Sequence, residues 1–292
     1  MIVSNEYLRQ RRLRLLQTIF LAVVMIYLAA RAASVVLGPV GGLIALALIA
    51  AVTLAGVGGR RILLPNGTRR LAWYDAPEFY DHLRDLSERA DLESVPPVFI
   101  LPSERAEAMT TGVGANTMIL LSKGLLATLS MRELCAVVAH EIAHIRNRDL
   151  PLFAVVAAMQ RVTRLVAGVL GIILVVTFPL LFFGMTLLPP PALLYLGVVP
   201  VISLLAQFAL LRTREFQADL GAVELTGDPA ALASALARLD HVHRPLWSVV
   251  VMGGTRRSAL AELLKTHPST AERIERLRDL ARDAGTTRRS RF

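Results

Sequence analysis

Four long apolar runs alternate with polar stretches rich in arginine. Leu15 to Ala30 is the first run and Ala32 to Val57 the second. Arg31 alone separates them, which predicts two antiparallel helices joined by a short turn at that residue. Val166 to Leu188 and Ala192 to Leu211 form a second pair around Pro189, Pro190 and Pro191. Each run approaches the ~20 apolar residues needed to cross a hydrocarbon core. The first is the shortest, and Arg14 and Arg31 at its ends can reach the headgroups through their aliphatic stems. A signal peptide is a weaker reading of that run, because no small-residue cleavage site precedes another apolar span. A buried or re-entrant hairpin is the rival reading of 166–211.

The polar stretches carry shorter signals. Asp75 and Glu78 have the spacing of an N-cap and its third-position partner, predicting a helix to about Ala90. "PPVFIL" (96–101) and "NTMILL" (116–121) read as short strands, with Gly112 and Gly114 marking a turn between them. Ser130 and Glu133 form a capping box at the start of a helix. The fourth run continues as helix through Glu224, Asp228 and Pro229 open another helix, and Ser269 with Glu272 opens a last one stopping at Gly285. The tail "TTRRSRF" reads as a disordered basic end.

Composition supports the membrane reading. Hydrophobic residues make up 54% of the 292, and the mean hydropathy is +0.53. Both are high for a soluble protein. The net charge of +9 comes almost wholly from arginine, since Lys123 and Lys265 are the only lysines. The arginines lie beside the apolar runs, which favours an anionic leaflet over nucleic acid as their partner. Arg9, Arg11, Arg12 and Arg14 precede the first run, and Arg60, Arg61, Arg69 and Arg70 follow the second. Arg161 and Arg164 precede the third, and Arg212 and Arg214 follow the fourth. The positive-inside rule therefore puts both termini and the 60–164 region in the cytoplasm. Cys135 is the only cysteine, so no intrachain disulfide forms, in keeping with a reducing compartment.

The chemistry lies in "CAVVAHEIAHIRNRD" (135–149). On a helix His140 and His144 stand about 40° apart around the axis, so both imidazoles reach one metal ion. Glu141 sits on the adjoining edge, suited to general-base work rather than ligation. A catalytic zinc needs a third protein ligand. Cys135 lies about 140° around the helix from His140, and His82, His241, His243 and His267 have no ligating pattern. In "LLRTREFQADLGAVE" Glu215 and Asp219 share one helical face. Glu215 can complete a His-His-Glu site, and Asp219 can accept a hydrogen bond from a ligating histidine's other nitrogen. An ordinary acidic pair among Arg212 and Arg214 is the bland alternative.

With "LSMRELCAVVAHEIAHIRNRD", "RTREFQAD", "THPST" before "AERIERL" and the four-run layout, the chain resembles the HtpX-like membrane zinc metallopeptidases. These are gluzincins related to the type 1 CAAX prenyl endopeptidases. The resemblance implies one Zn2+ per chain on His140, His144 and Glu215, with Glu141 as catalytic base and Asp219 behind a ligand. It also implies quality-control cleavage of membrane or unfolded polypeptides at the bacterial cytoplasmic membrane. His267 matches the family's His-Pro position and is a candidate transition-state donor. The family's substrate-pairing strand corresponds to "EAMTTG", making Met109, Thr110, Thr111 and Gly112 candidate substrate contacts. Here Glu107 stands where the family has asparagine. Strand addition uses the backbone and survives that change; side-chain preference need not.

The expected architecture is a mainly α membrane protein: four transmembrane helices in two hairpins, plus a cytoplasmic α+β gluzincin domain with a small β-sheet. The boundaries are an N-terminal hairpin (1–59), a first peptidase part (60–165), a second hairpin (166–211), a second peptidase part (212–285) and the basic tail (286–292). Expected partners are substrate polypeptides and the bilayer, without nucleic acid; oligomeric state is not readable. A catalytically silent zinc scaffold or sensor is the alternative function. Intact Glu141 argues against it. A transporter is weaker still, because the spans hold no acidic residues or half-helix pairs.

Overall fold

The computed structural model describes residues 5–57, 64–112, 114–185, 190–243 and 270–289. The chain divides into two compact units. One holds Met1–Gly56 and Leu152–Leu210, the other Val57–Pro151 and Leu211–Phe292.

In the first unit, α1 spans Asn5–Val57 with Pro39 inside it. It does not run straight. A side chain on Gly42 would meet the Ala30 carbonyl oxygen at 3.2 Å, far closer than a continuous helix of 1.5 Å rise per residue allows. Met25 and Ala29 also pack with Ala45 and Ile49. The chain therefore doubles back at Gly38, whose φ is +65°, next to Pro39. This moves the expected turn at Arg31 by seven residues. Arginine is a good helix former, whereas a left-handed glycine before a proline ends a helix. The helices α5 (Asp149–Leu181) and α6 (Pro190–Thr226) supply the rest of this unit through residues 152–181 and 190–210; the start of α5 and the end of α6 belong to the second unit. Thr163 Oγ1 lies 3.4 Å from Ser203 Oγ, so they form a second hairpin. Asp149–Leu180 and Gly197–Thr226 are long and apolar enough to cross a membrane, while Ile19–Val35 and Gly38–Ala51 are shorter apolar helices.

The second unit is α+β. Its sheet holds β1 (Arg69–Arg70), β2 (Val98–Leu101), β3 (Ala108–Thr111) and β4 (Met118–Ser122) in the order β1-β2-β4-β3. β2 is parallel to β4, and β3 is antiparallel to it with Thr110 opposite Ile119. Gly112 and Gly114 thus turn the chain from β3 into β4, not directly from β2. The two-residue β1 has no sequence signal, because both side chains are exposed. Around the sheet lie α2 (Pro77–Arg89), α3 (Lys123–Thr128), α4 (Met131–Arg146), α7 (Pro229–His243) and α8 (Thr270–Arg289). Leu83, Ile119, Leu121, Leu125, Ile142, Leu232 and Leu277 are almost fully enclosed in one core. Each such side chain contributes roughly 1.5–3 kcal/mol by leaving water.

Two expected caps shift. Asp75 closes a 3-10 turn over Trp73–Asp75, accepting from the Ala72 N–H at 3.3 Å. Ala76 is the N-cap of α2, and Pro77 follows it, where the missing N–H costs nothing. α8 runs past Gly285 to Arg289; one glycine costs a helix about 1 kcal/mol, too little to stop it alone. Ser130 and Glu133 do form the capping box of α4. Asp228 does cap α7, accepting from Ala231 N at 3.0 Å. Ser269 lies outside the described residues.

Candidate metal centre

α4 carries His140, Glu141 and His144, all buried. The capping box fixes where this helix starts, and Leu134, Val138 and Ile142 hold its inner side against the core. α6 brings Glu215 against the same face. Its carboxylate stands 3.6 Å from His140 Nε2 and 3.9 Å from His144 Nε2. One ligand atom from each of the three residues lies within 4.8 Å of the others.

The other face of each ring is held by a carboxylate. Asp219 Oδ1 lies 3.1 Å from His140 Nδ1, and Asp149 Oδ2 lies 2.8 Å from His144 Nδ1. An acceptor at Nδ1 keeps the proton there and leaves the Nε2 lone pair free. Both free lone pairs face Glu215, so the donor set suits a divalent metal ion. Arg273 Nη2 also approaches His140 Nδ1, at 3.5 Å. The shorter carboxylate contact sets the tautomer.

Arg273 ties the acidic side together. It donates to Asp219 through Nε at 2.7 Å and Nη2 at 2.6 Å, and its Nη1 lies 2.8 Å from Glu215 Oε2. Burial opposes the Asp219 charge, but the His140 hydrogen bond and the Arg273 guanidinium outweigh it and hold the carboxyl below its ordinary value. Burial likewise opposes charge on His144, yet the Asp149 hydrogen bond and the carboxylates of Glu141 and Glu215 raise its pKa. Thr110 Oγ1 donates to Glu141 Oε2 at 2.7 Å, which brings β3 to the site. Met109, half-exposed, and Thr111 lie on the same strand, with Gly112 just beyond it. Burial pushes the Cys135 thiol up to about 11, so it stays a neutral thiol. His267 lies outside the described residues.

Sequence reasoning missed Asp149, Arg214 and Arg273. Asp149 is only five residues after His144, but on an unbroken helix it would point about 140° away. A left-handed Arg148, φ +55°, breaks the chain between α4 and α5 and returns it. Arg273 had a faint signal as a charged residue in "AERIERL".

A histidine pair one helical turn apart, an adjoining glutamate and a carboxylate from a second helix are the parts of a metallopeptidase. The comparisons agree. The model of "Peptidase family M48" matches residues 75–281. A protease HtpX homolog of Thermococcus kodakarensis is 34% identical over 228 residues, covering 73% of this chain and 76% of that protein. The homolog of Aquifex aeolicus is 32% identical, covering 77% and 78%. That of Burkholderia mallei is 33% identical, covering 71% and 75%. The crystal structure of S. mikatae Ste24p shares the fold at a TM-score of 0.52 and 17% identity, over 94% of this chain and 66% of that one. The chain belongs to peptidase family M48. It is a membrane metallopeptidase, and the resemblance seen in the sequence holds.

Proposed function

We propose that the chain is a zinc endopeptidase of the bacterial cytoplasmic membrane. It hydrolyses membrane or misfolded proteins from the cytoplasmic side, as protein quality control. One Zn2+ per chain is held by His140, His144 and Glu215. The observation that carries this reading is the convergence of two freed Nε2 atoms and the Glu215 carboxylate beside Glu141.

Zn2+ bound there supplies a Lewis acid for the scissile carbonyl and for water. Glu141 takes the proton from the attacking water and passes it to the leaving amine as the C–N bond breaks. Thr110 holds the Glu141 carboxylate in place. Asp219 keeps His140 oriented. β3 lies at the edge of the described sheet, so an extended substrate adds to it through main-chain hydrogen bonds. Met109, Thr111 and Gly112 line that path, and His267 donates to the developing oxyanion. The four apolar helices cross the bilayer as two hairpins, with the arginine-rich segments inside.

The test is metal analysis with proteolysis in detergent. The purified chain is expected to hold one zinc and to cleave casein, to lose both with chelator, and to regain both with zinc. Glu215→Ala should fail to retain zinc. Full occupancy in that variant would place the third ligand elsewhere.

A further inference from the structure

Asp149 is the most completely buried charged residue described, with no exposed surface. Its two oxygens serve different partners. Oδ2 takes His144 Nδ1 at 2.8 Å. Oδ1 takes Arg214, through Nε at 2.6 Å and through Nη2. Arg214 is itself buried, and its Nη2 reaches the Asn147 carbonyl oxygen at 3.3 Å. The next residue along α6 is Glu215, whose carboxylate faces His144 Nε2 at 3.9 Å.

The contacts close a ring. His144 binds Asp149, Asp149 binds Arg214, Arg214 is bonded to Glu215, and Glu215 returns to His144. We infer that the buried Asp149–Arg214 pair is a positioning clamp for the metal centre: it orients His144 and sets Glu215 on α6 in register with α4. This rests on the proposed His140, His144 and Glu215 site.

Three features support a role beyond packing. A fully desolvated ion pair is a poor source of net stability, and apolar residues of similar volume replace such pairs at little cost. The chain also adopts a left-handed non-glycine residue, Arg148, to bring Asp149 under His144, a conformation that L-residues adopt at a cost. Finally, the pair links His144 on α4, through Asp149 at the start of α5, to α6, which carries Glu215. His140 has its own carboxylate, Asp219, linked to Glu215 through Arg273. Each histidine thus has a carboxylate behind it, and each carboxylate an arginine tied to Glu215 or its neighbour.

The test separates positioning from folding by measuring zinc affinity and thermal stability on the same full-length chains. Asp149→Asn keeps the shape but removes the charge. It is expected to fold and to bind zinc about 10–100-fold more weakly in chelator competition, the usual cost of losing such a partner. Arg214→Met leaves Asp149 buried without its cation and is expected to lose both stability and affinity. The double variant Asp149→Leu with Arg214→Met removes both charges. It should recover the melting temperature but not the affinity, because His144 still lacks its acceptor. Recovery of affinity together with stability would overturn the inference and reduce the pair to packing. Unchanged affinity in Asp149→Asn, with Glu215→Ala losing its zinc, would also overturn it while leaving the site assignment intact. Zinc retained by Glu215→Ala would overturn the assignment and the clamp with it.

Discussion

Glu133 is a buried carboxylate whose role is structural. Its Oε2 accepts from the Ser130 N–H at 2.9 Å and the Ser130 hydroxyl at 2.8 Å. Its Oε1 accepts from Ser234 at 2.6 Å and pairs with Arg238 at 2.9 Å. Burial opposes its charge, but these partners win and hold its pKa below the ordinary glutamate value. A depressed carboxylate stabilises the fold above its unfolded pKa, and that contribution is lost as pH falls through the folded value. Melting curves from neutral pH down to about pH 3 should therefore show the wild type losing stability below the ordinary glutamate range. Glu133→Gln should start lower and fall less steeply; parallel curves would contradict this. The residue scale was partly legible. Spacing exposed the Ser130–Glu133 box, both histidines, Glu141, Glu215 and Asp219, because helical periodicity fixes which face they share. It could not expose Arg273 or Asp149, whose positions depend on how separate helices dock and on one left-handed residue.

At the scale of elements, the site depends on how closely α6 approaches α4. Gly221 permits that approach: a side chain there would come within 2.7 Å of the Ala143 Cβ and 3.0 Å of an Arg146 nitrogen. Ala143 immediately precedes His144. Gly221→Val should push the helices apart, costing roughly 1–3 kcal/mol of stability by overpacking, and should lower zinc affinity although no ligand is changed. Chelator competition with the wild-type affinity would show that the helices tolerate the separation. Helices with strong periodicity or clear caps, such as α4, α6 and α7, were legible in the sequence. The hairpin turn in α1 lies at Gly38 and Pro39 rather than at Arg31, because a lone arginine is compatible with a helix and a left-handed glycine before a proline is not. β1 was invisible because two exposed arginines hold a strand only by pairing with β2.

At the scale of the whole molecule, the ligands come from both sides of a long excursion. His140 and His144 precede residues 152–210, Glu215 follows them, and the three side chains meet. The excursion must return to the side it left. In the proposed topology it does so by two crossings. A cysteine at Pro190, in a Cys135→Ser background, should react with an impermeant thiol reagent on intact cells, and cysteines at Thr68 and Thr287 only after lysis. Protection of Pro190 with the controls behaving as expected would favour a re-entrant hairpin. The central claim, that Glu141 moves protons at a metal it does not hold, is tested most directly in the full-length chain carrying Glu141→Gln. Zinc content and cleavage are measured on one preparation. One zinc per chain, a wild-type melting temperature and background cleavage are expected. Cleavage at the wild-type rate with zinc in place would contradict that claim.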